Sequence, residues 1–498
     1  MPSQALAAVA TLLSFAPHGN RIDLQLDHGS AQIVWLSNST FHWRRTLDGP
    51  LAELREKVAD PVSVKIDDLP GAIRIASNYI EVTVQKHGLL LRVRKLDGTP
   101  LLADLSEPHA DETGVVWERE MPAHVRFYGL GPLATPSLDL RGAAVNAEMP
   151  FLISTAGYGE YHNGRGPFRF DFSGADRYRV EAPGIDYYFY YGPTPKEIFK
   201  ERNAVGPPGR SWPVPAPSAA GWSGLRDSLL GMVHAAMSGV LEPSFDLNPY
   251  NAAPPEIRQR ARQIGSLVPT VTQGVAGPSD FRKQLDAFFA AYAPEVDYHG
   301  YPTWHPLPFQ FAEDPECARH ADEFMLGDEM LVAPIYDATG RRSLYLPQGV
   351  WTNLETNEVT PGRRTISVET QALPVFARNG TIVPLASPVG MALHYFPKLG
   401  AEFFLLEQDL GEYSQVHAAP AADIMRLEIE SKKNRDYQWV VHHIDKPSGV
   451  GFEATRYREV NAPEEMADRT WFYDAPHKNL LVRVSVKAGE DRIVNLEF

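Results

Sequence analysis

One stretch, residues 206–250, most constrains how this chain can fold. Five prolines between residues 207 and 217 fix φ and remove backbone donors, so residues 206–220 are predicted to form an extended connector. Apolar residues then recur every three or four positions from Leu225 to Val240, a spacing that predicts an amphipathic helix. The chain therefore passes through a proline-rich connector into a helical middle.

The segments on either side of this middle predict β-structure. Runs such as 22–26 and 80–84 alternate apolar and polar side chains, and Asp-Gly pairs that favour tight turns occur at 48–49 and 97–98. The β pattern returns from Met330 and fits two small antiparallel domains. We therefore predict a mainly β chain with a small α/β part in its middle.

Two further helices are predicted in the middle segment. One spans residues 254–268, and its three arginines lie off its apolar face. The next carries an apolar stripe from Phe281 to Tyr292, with Ser279 as its N-cap and Pro294 closing it. A closed eight-stranded barrel takes about 250 residues. The segment is too short for one and has room for two or three β-α units.

Composition excludes several kinds of partner. A chain of 498 residues suggests two to four domains, and its net charge of −15 argues against nucleic acid and anionic membranes. The single cysteine, Cys317, excludes an internal disulfide and predicts a reducing, cytoplasmic location. No apolar run reaches the roughly 18 residues of a membrane span. Residues 1–20 lack a positively charged n-region and are interpreted as a first strand rather than a signal peptide.

Several motifs resemble glycoside hydrolase family 31, the α-glucosidase and α-xylosidase family. The strongest is EFMLGDEMLVAP at 323–334, which is close to the family's QFMLGD-x-LLVAP. It is followed in the family's order by YLPQGVW at 345–351 and PVFARNGTIVP at 374–384. FYGLG at 127–131 is similar to the family's N-terminal sandwich, and residues 225–268 resemble the last third of its barrel. The resemblance spans nearly the whole chain.

This resemblance implies four domains. They are an N-terminal, galactose-mutarotase-like β-sandwich over residues 1–205, a truncated remnant of a (β/α)8 barrel over 206–328, and two C-terminal β-sandwich domains over 329–387 and 388–498. It also implies that no cofactor is needed, and the sequence offers no cluster of metal-ligating residues.

The family's catalytic residues have no counterparts in this sequence. Family members hydrolyse α-glycosides with retention through two aspartates, a nucleophile and an acid/base. The nucleophile belongs to a middle barrel strand that the chain lacks. The acid/base aspartate follows Trp-Ser-Gly in the family, whereas Trp222, Ser223 and Gly224 are followed here by Leu225. The arginine and histidine that grip the sugar in the family are also absent from 269–274.

Other side chains are candidates for a rebuilt or ligand-binding site. Asp227 and Asp246 are the candidate carboxylates for catalysis, and the candidates for substrate binding are Asp246, Glu148, Trp222 and His305. Asp227 is predicted in the first turn of its helix, where an acid meets the helix dipole favourably. His234 shares its helix face, and we interpret both as part of a solvated polar face.

The sequence leaves three functional hypotheses. The first is a non-catalytic family relative that binds carbohydrate or a partner, and the second is an active retaining α-glycosidase with a rebuilt or partner-completed site. The third is a purely structural role. A barrel cut to a third of its strands would expose strand edges and apolar helix faces, so we also predict a homodimer through residues 206–330.

Overall fold

A computed structural model describes residues 9–53, 61–112, 114–205, 220–272 and 280–498. The predicted connector up to residue 219 and the predicted cap Ser279 lie outside the described residues. The described residues form two compact units: 9–53, 61–112, 114–205, 230–241 and 298–302 belong to the first, and 220–229, 242–272, 280–297 and 303–498 belong to the second.

The described residues of the first unit form three antiparallel sheets. The eight-stranded sheet contains, in spatial order, Leu12–His18, Arg21–Leu26, Ser30–Trp35, Thr40–Arg45, Ile185–Tyr191, Tyr158–His162, Phe151–Ser154 and Phe127–Gly129. A five-stranded sheet contains His109–Ala110, Val115–Glu120, Arg177–Ala182, Arg169–Asp171 and Ala144–Asn146. The other five-stranded sheet contains Lys65–Asp68, Ala72–Ala76, Ile80–Gln85, Leu91–Lys95 and Pro100–Ala103.

Strand periodicity explains how these sheets enclose a core. In Ile80–Gln85 the side chains of Ile80, Val82 and Val84 are fully buried, while the intervening residues are half-buried. Successive side chains of a strand point to opposite faces, so this alternation directs one apolar face into the core. The mainly β prediction is confirmed, and the described strands up to residue 191 pair antiparallel as expected.

One charged group lies inside the core of the first unit. The Arg119 guanidinium donates to Glu160, and its Nε lies 3.1 Å from Asp104 Oδ1. The three side chains, which we call the Arg119 cluster, are at most 6% exposed. A buried charge of this kind persists only when it is paired.

The described part of the second unit contains five sheets. Two of them have two strands: Ser244–Asp246 with Thr270–Thr272, and Arg341–Leu346 with Arg364–Glu369. A six-stranded sheet contains Trp304–Pro306, Phe324–Leu326, Met330–Val332, Val375–Arg378, Val350–Asn353 and Val359–Pro361. A second contains Thr381–Ser387, Gly390–Phe396, Arg435–Val441, Asn479–Val486, Thr470–Asp474 and Arg458–Glu459. The third contains Ala401–Glu407, Glu412–Pro420, Ile424–Ser431, Glu490–Glu497, Gly449–Phe452 and Thr455–Arg456.

The prediction that the C-terminal strands are purely antiparallel was wrong. Gly390–Phe396 pairs parallel with Arg435–Val441, and Arg458–Glu459 pairs parallel with Thr470–Asp474. Parallel neighbours need a crossover rather than a hairpin. In the first pair that crossover is residues 397–434, which form three strands of the neighbouring sheet before the chain returns.

The described chain contains six α-helices: α1 (Pro195–Val205), α2 (Trp222–Met237), α3 (Pro255–Gly265), α4 (Asp280–Gln284), α5 (Asp286–His299) and α6 (Leu307–Gln310). The sequence predicted one helix ending at Pro294, but α5 contains that proline. Val296, in the next turn, is buried, and this packing stabilises the helix beyond Pro294, which has no backbone N–H to donate. No helix in the described part of the chain is long and apolar enough to cross a membrane.

Candidate functional site

A cavity of about 880 Å³ lies in the second unit beside α3. The helix presents its polar face to this cavity, with Arg258 and Arg262 one turn apart and Gln259 and Gln263 beside them. Residues four apart share a helix face, so this wall carries two guanidinium and two amide groups in a compact array. The wall is rich in hydrogen-bond donors.

The opposite wall of the cavity is mostly apolar. Its lining side chains are Leu354, Glu355, Ala372, Leu373 and Val375, with Phe281 from α4 completing the enclosure. Ligand cavities typically combine apolar walls with a few directed polar groups. The cavity has this composition.

Arg260 fixes α3 against the opposite wall. Its guanidinium donates to the carbonyls of Thr370, Gln371 and Ala372 at 2.9–3.2 Å, and Gln263 Nε2 also donates to Gln371 at 2.9 Å. Arg260 is buried, unlike Arg258 and Arg262, so the three arginines predicted to lie off the apolar face have different surroundings. The buried one holds the cavity walls together.

The cavity lining includes a single carboxylate, that of Glu355. Thr370 Oγ1 lies 2.9 and 2.7 Å from its two oxygens and donates to the carboxylate. Glycoside hydrolysis by either stereochemical course uses a pair of carboxyl groups. The described lining supplies hydrogen bonding and apolar surface without such a pair.

Asp246, a predicted site residue, ends the strand Ser244–Asp246 and has a local partner. Its Oδ1 accepts hydrogen bonds from the backbone N and the side-chain Nδ2 of Asn248, both at 2.9 Å. A carboxylate that bonds the backbone two residues later stabilises a turn. The structure thus gives Asp246 a structural task at the start of the short 3-10 turn Asn248–Tyr250.

Trp222 and Asp227 both lie on α2 and are half-buried. The prediction that Asp227 occupies the first helical turn was wrong, because α2 begins at Trp222 and Asp227 therefore lies in its second turn. The prediction that His234 lies on a solvated polar face was also wrong. It is fully buried, its Nε2 lies 3.1 Å from Thr135 Oγ1, and burial lowers its pKa to about 4.

The other two predicted residues belong to different units. Glu148 is an exposed side chain of the first unit. His305 belongs to the second unit, where its ring is buried on the strand Trp304–Pro306 and its Nδ1 lies 3.3 Å from Asp328 Oδ1. Neither residue is among those that line the cavity.

Sequence reasoning missed a second polar group around His305, which we call the Tyr292 cluster: Tyr292, His305, Asp328 and Glu329. Tyr292 Oη donates to Glu329 Oε2 at 2.6 Å, and the Asp328 N–H donates to both of these oxygens, at 2.9 Å to Tyr292 and 3.0 Å to Glu329. Burial raises the pKa of Glu329 to about 8, so its carboxyl keeps a proton at neutral pH. Asp328 is 48% exposed.

Gly327 allows the Tyr292 cluster to close. Its φ is +60°, and a Cβ at this position would lie 2.4 Å from Tyr292 Cζ and 2.6 Å from Glu329 Oε2. Both the left-handed backbone and the close approach favour glycine. The sequence signal for this cluster was the Gly-Asp-Glu of the 323–334 motif, which was used for resemblance and not for chemistry.

No group of three or more His, Cys, Asp or Glu side chains within the described ranges is arranged to hold a metal ion. The features available for chemistry are therefore the donor-rich cavity and the Tyr292 cluster.

Comparison with known protein families supports the resemblance found in the sequence. The model of the glycosyl hydrolase family 31 C-terminal domain matches residues 300–383. An alpha-glucosidase of Saccharolobus solfataricus is 32% identical over 106 residues, which are 21% of this chain and 15% of that protein. The alpha-glucosidase 2 of Bacillus thermoamyloliquefaciens is 36% identical over 169 residues, or 31% of this chain and 21% of that protein.

A longer match joins the chain to an isomaltosyltransferase of Sporosarcina globispora. It is 23% identical over 336 residues, which cover 55% of this chain and 31% of that protein. The matched segments thus span between 15% and 31% of the length of these three curated relatives.

Solved structures with a similar fold include carbohydrate-active enzymes. A GH31 dextranase of Flavobacterium johnsoniae complexed with glucose has a TM-score of 0.80 and 14% identity, covering 99% of this chain and 100% of that one. The cycloalternan-forming enzyme of Listeria monocytogenes in complex with a pentasaccharide substrate has a TM-score of 0.78 and 13% identity, covering 98% of this chain and 77% of that one. At this identity the likeness concerns the fold alone. Together with the sequence matches, it confirms the relationship to glycoside hydrolase family 31.

Proposed function

We propose that this chain, a relative of glycoside hydrolase family 31, binds carbohydrate in the cavity beside α3 without hydrolysing it. The observation that supports this function is the composition of the cavity lining: two guanidinium groups, two amides, an apolar wall and one carboxylate. Two of the similar solved structures contain glucose or a pentasaccharide, which makes a saccharide the ligand class to test first.

The lining suits the two kinds of surface that a sugar ring presents. Ring hydroxyls accept hydrogen bonds from the guanidinium N–H groups of Arg258 and Arg262, and they donate hydrogen bonds to the amide oxygen of Gln259. The C–H faces of the ring pack on apolar side chains, which Phe281 and Leu373 supply. A volume of about 880 Å³ is within the range of small-ligand cavities.

Hydrolysis requires more than the lining offers. Two carboxyl groups about 5–5.5 Å apart are needed for retention, or about 6.5–9.5 Å apart for inversion. Glu355 is one carboxylate, and Thr370 already donates to it. Of the predicted catalytic candidates, Asp246 stabilises a turn and Asp227 is not among the residues that line the cavity.

The proposal includes a shortened barrel between the β domains. Its support is a strand–helix–strand motif. The strands Ser244–Asp246 and Thr270–Thr272 pair parallel, and helix α3 connects them. A strand, a helix and a parallel strand are the repeating unit of a (β/α)8 barrel. The four-domain division of the sequence stays a proposal with this remnant at residues 206–328.

The homodimer also stays a proposal, on narrower grounds than the sequence suggested. The apolar stripe from Leu225 to Val240, most of which lies on α2, is buried within the chain, so it needs no partner. The remaining support is the two-stranded parallel sheet, since each of its strands has one edge unpaired in the described structure. Light scattering at micromolar concentration should give twice the mass of 55.3 kDa, and a monomer would remove the proposal.

Cytoplasmic location rests on the single cysteine and is likewise a proposal.

One observation favours the alternative, an active glycosidase with a rebuilt site. Glu329 has a pKa raised to about 8 by burial, and the neighbouring Asp328 is half exposed. Carboxyl groups with different surroundings can divide the roles of acid and base. Under this alternative, purified protein releases 4-nitrophenol from aryl α-glucosides, and Asp328→Asn abolishes the release.

The experiment for the main proposal measures binding and turnover on the same protein. Isothermal titration with gluco-oligosaccharides should show saturable binding, while aryl α-glucosides remain intact. Phe281→Ala removes part of the apolar surface and should weaken binding by about 10- to 150-fold, since burying an aromatic side chain against a ligand is worth about 1.5–3 kcal/mol. The matched control is Phe404→Ala, because Phe404 is a surface phenylalanine away from the cavity. Equal loss in both variants, or no binding by the unaltered chain, would remove the proposal.

A further inference from the structure

We propose that the cavity beside α3 selects acidic saccharides, in which a carboxylate or sulfate group bridges Arg258 and Arg262. This inference rests on the proposed carbohydrate binding and names the class of sugar that the same site takes. It follows from which arginines of α3 are occupied by protein partners and which are available.

The two cavity arginines have little internal use. The guanidinium of Arg262 forms no hydrogen bond or ion pair with any described residue, and the guanidinium of Arg258 reaches one backbone carbonyl, that of Asn251, at 3.3 Å. Both side chains are exposed, although they face a cavity. Their charge is therefore available to a ligand.

Arg260 provides an internal comparison on the same helix. It is buried and its guanidinium donates to three backbone carbonyls and to Gln263 Oε1. Its hydrogen-bonding capacity is thus used to join α3 to residues 370–372. Arg260 therefore anchors the helix, and Arg258 and Arg262 are not used for that contact.

The charge of the cavity is opposite to that of the whole chain. The chain carries a net charge of −15, whereas the cavity lining contains two arginines and one glutamate. Thr370 donates to both oxygens of that glutamate, on the wall opposite the arginines. A positively charged wall on an acidic protein attracts an anionic ligand more strongly than the other surfaces of the molecule do.

The spacing of the arginines fits one oxyanion. Side chains four residues apart on a helix have Cβ atoms about 6 Å apart, and a guanidinium fork donates two parallel hydrogen bonds to a carboxylate or sulfate. Gln259 Nε2 donates to the Gln371 carbonyl at 3.3 Å, which leaves its amide oxygen to accept from a sugar hydroxyl. The apolar side chains Leu373 and Val375 then face the ring.

The test compares matched sugars. Binding is measured by isothermal titration at low salt for a neutral glucose tetrasaccharide, the tetrasaccharide with one glucuronic acid in place of glucose, and a singly sulfated tetrasaccharide. Hydrogen bonds to charged groups give the acidic sugars about tenfold tighter binding than the neutral one. The preference should shrink at about 1 M salt, where the screening length falls to about 3 Å. A preference for only one acidic sugar identifies the oxyanion that the site accepts.

Substitutions separate this selectivity from binding itself. Arg262→Gln and Arg258→Gln should each bring the ratio of acidic to neutral affinity close to one. Arg364→Gln is the matched control, because Arg364 is exposed, forms no side-chain hydrogen bond with the described residues and lies outside the cavity lining. It should leave the ratio unchanged.

The outcomes distinguish the two proposals. Equal affinity for neutral and acidic tetrasaccharides overturns the selectivity and leaves carbohydrate binding in place. No binding of any tetrasaccharide overturns both. Binding of inorganic sulfate alone as tightly as the sulfated sugar, with the same loss in Arg262→Gln, overturns the saccharide and identifies a simple anion site. A reduced ratio in Arg364→Gln overturns the assignment to α3.

Discussion

Replacing Glu329 by glutamine should remove a pH dependence from the stability of the second unit. Glu329 is buried and its pKa is raised by burial from its ordinary value near 4.5 to about 8. The folded chain thus holds a proton that the unfolded chain releases above pH 4.5. The contribution of Glu329 to the free energy of unfolding is fully present below pH 4.5 and is lost as the pH rises toward 8. Glutamine resembles the protonated acid and keeps an oxygen for Tyr292.

The size of the effect follows from the pKa values. Between 4.5 and 8, each pH unit lowers the stability of the unaltered chain by about 1.4 kcal/mol relative to a neutral side chain. From pH 5 to pH 7 the unaltered chain should therefore lose about 2–3 kcal/mol relative to Glu329→Gln. Glu323, whose pKa burial also raises to about 8, is present in both proteins, so its contribution cancels in the comparison.

Hydrogen exchange offers the appropriate assay because a chain of several domains does not unfold in one step. The free energy of opening is measured for amides of the strands Phe324–Leu326 and Met330–Val332 at pH 5, 6 and 7, with intrinsic exchange rates corrected for pH. Glu369→Gln, at a side chain that is 68% exposed, serves as control. Parallel pH curves for the unaltered chain and Glu329→Gln would refute the reasoning, since the folded chain would then not hold the extra proton.

Three further predictions test the packing, two of them with a matched control substitution. Gly327→Ala should lower the free energy of opening of the second unit, measured by hydrogen exchange, by at least about 2 kcal/mol, since its Cβ would overlap Tyr292 and φ is positive. An effect below about 0.5 kcal/mol would contradict the close approach. Arg119→Met leaves two buried carboxylates unpaired and should cost about 3–5 kcal/mol, seen as a lower Tm, whereas Arg177→Met at the surface should not. Asp246→Ala should cost about 1 kcal/mol and Asp246→Asn less than about 0.5 kcal/mol, because asparagine keeps the accepting oxygen. Equal losses in both would contradict the turn.

The sequence predicted those parts of the fold that depend on local periodicity. The alternation at Ile80–Gln85 directs one face of a strand into the core, and the apolar stripe of α3 buries Ile257, Ala261 and Ile264. Both patterns lie within a few residues, so they can be read without knowledge of distant contacts.

The cavity could not be predicted from local sequence patterns, because its two walls come from distant segments of the chain. Gln259 and Gln371, which form a hydrogen bond, lie more than 100 residues apart, and the apolar wall at 372–375 meets α3 only in the folded unit. The same limit explains the errors at His234 and Pro294. Burial of a polar helix position and continuation of a helix through proline both depend on tertiary packing.

The central claim is that the chain binds carbohydrate without hydrolysing it, and saturation-transfer NMR on one sample tests both parts. Purified protein is mixed with an acidic tetrasaccharide, and transfer to ring protons and the anomeric signals are followed over several days. We predict transfer to the ring protons of the sugar, its loss in Phe281→Ala, and unchanged anomeric signals throughout. New reducing-end signals that grow with protein concentration would contradict the account, as would the absence of transfer to every sugar tested.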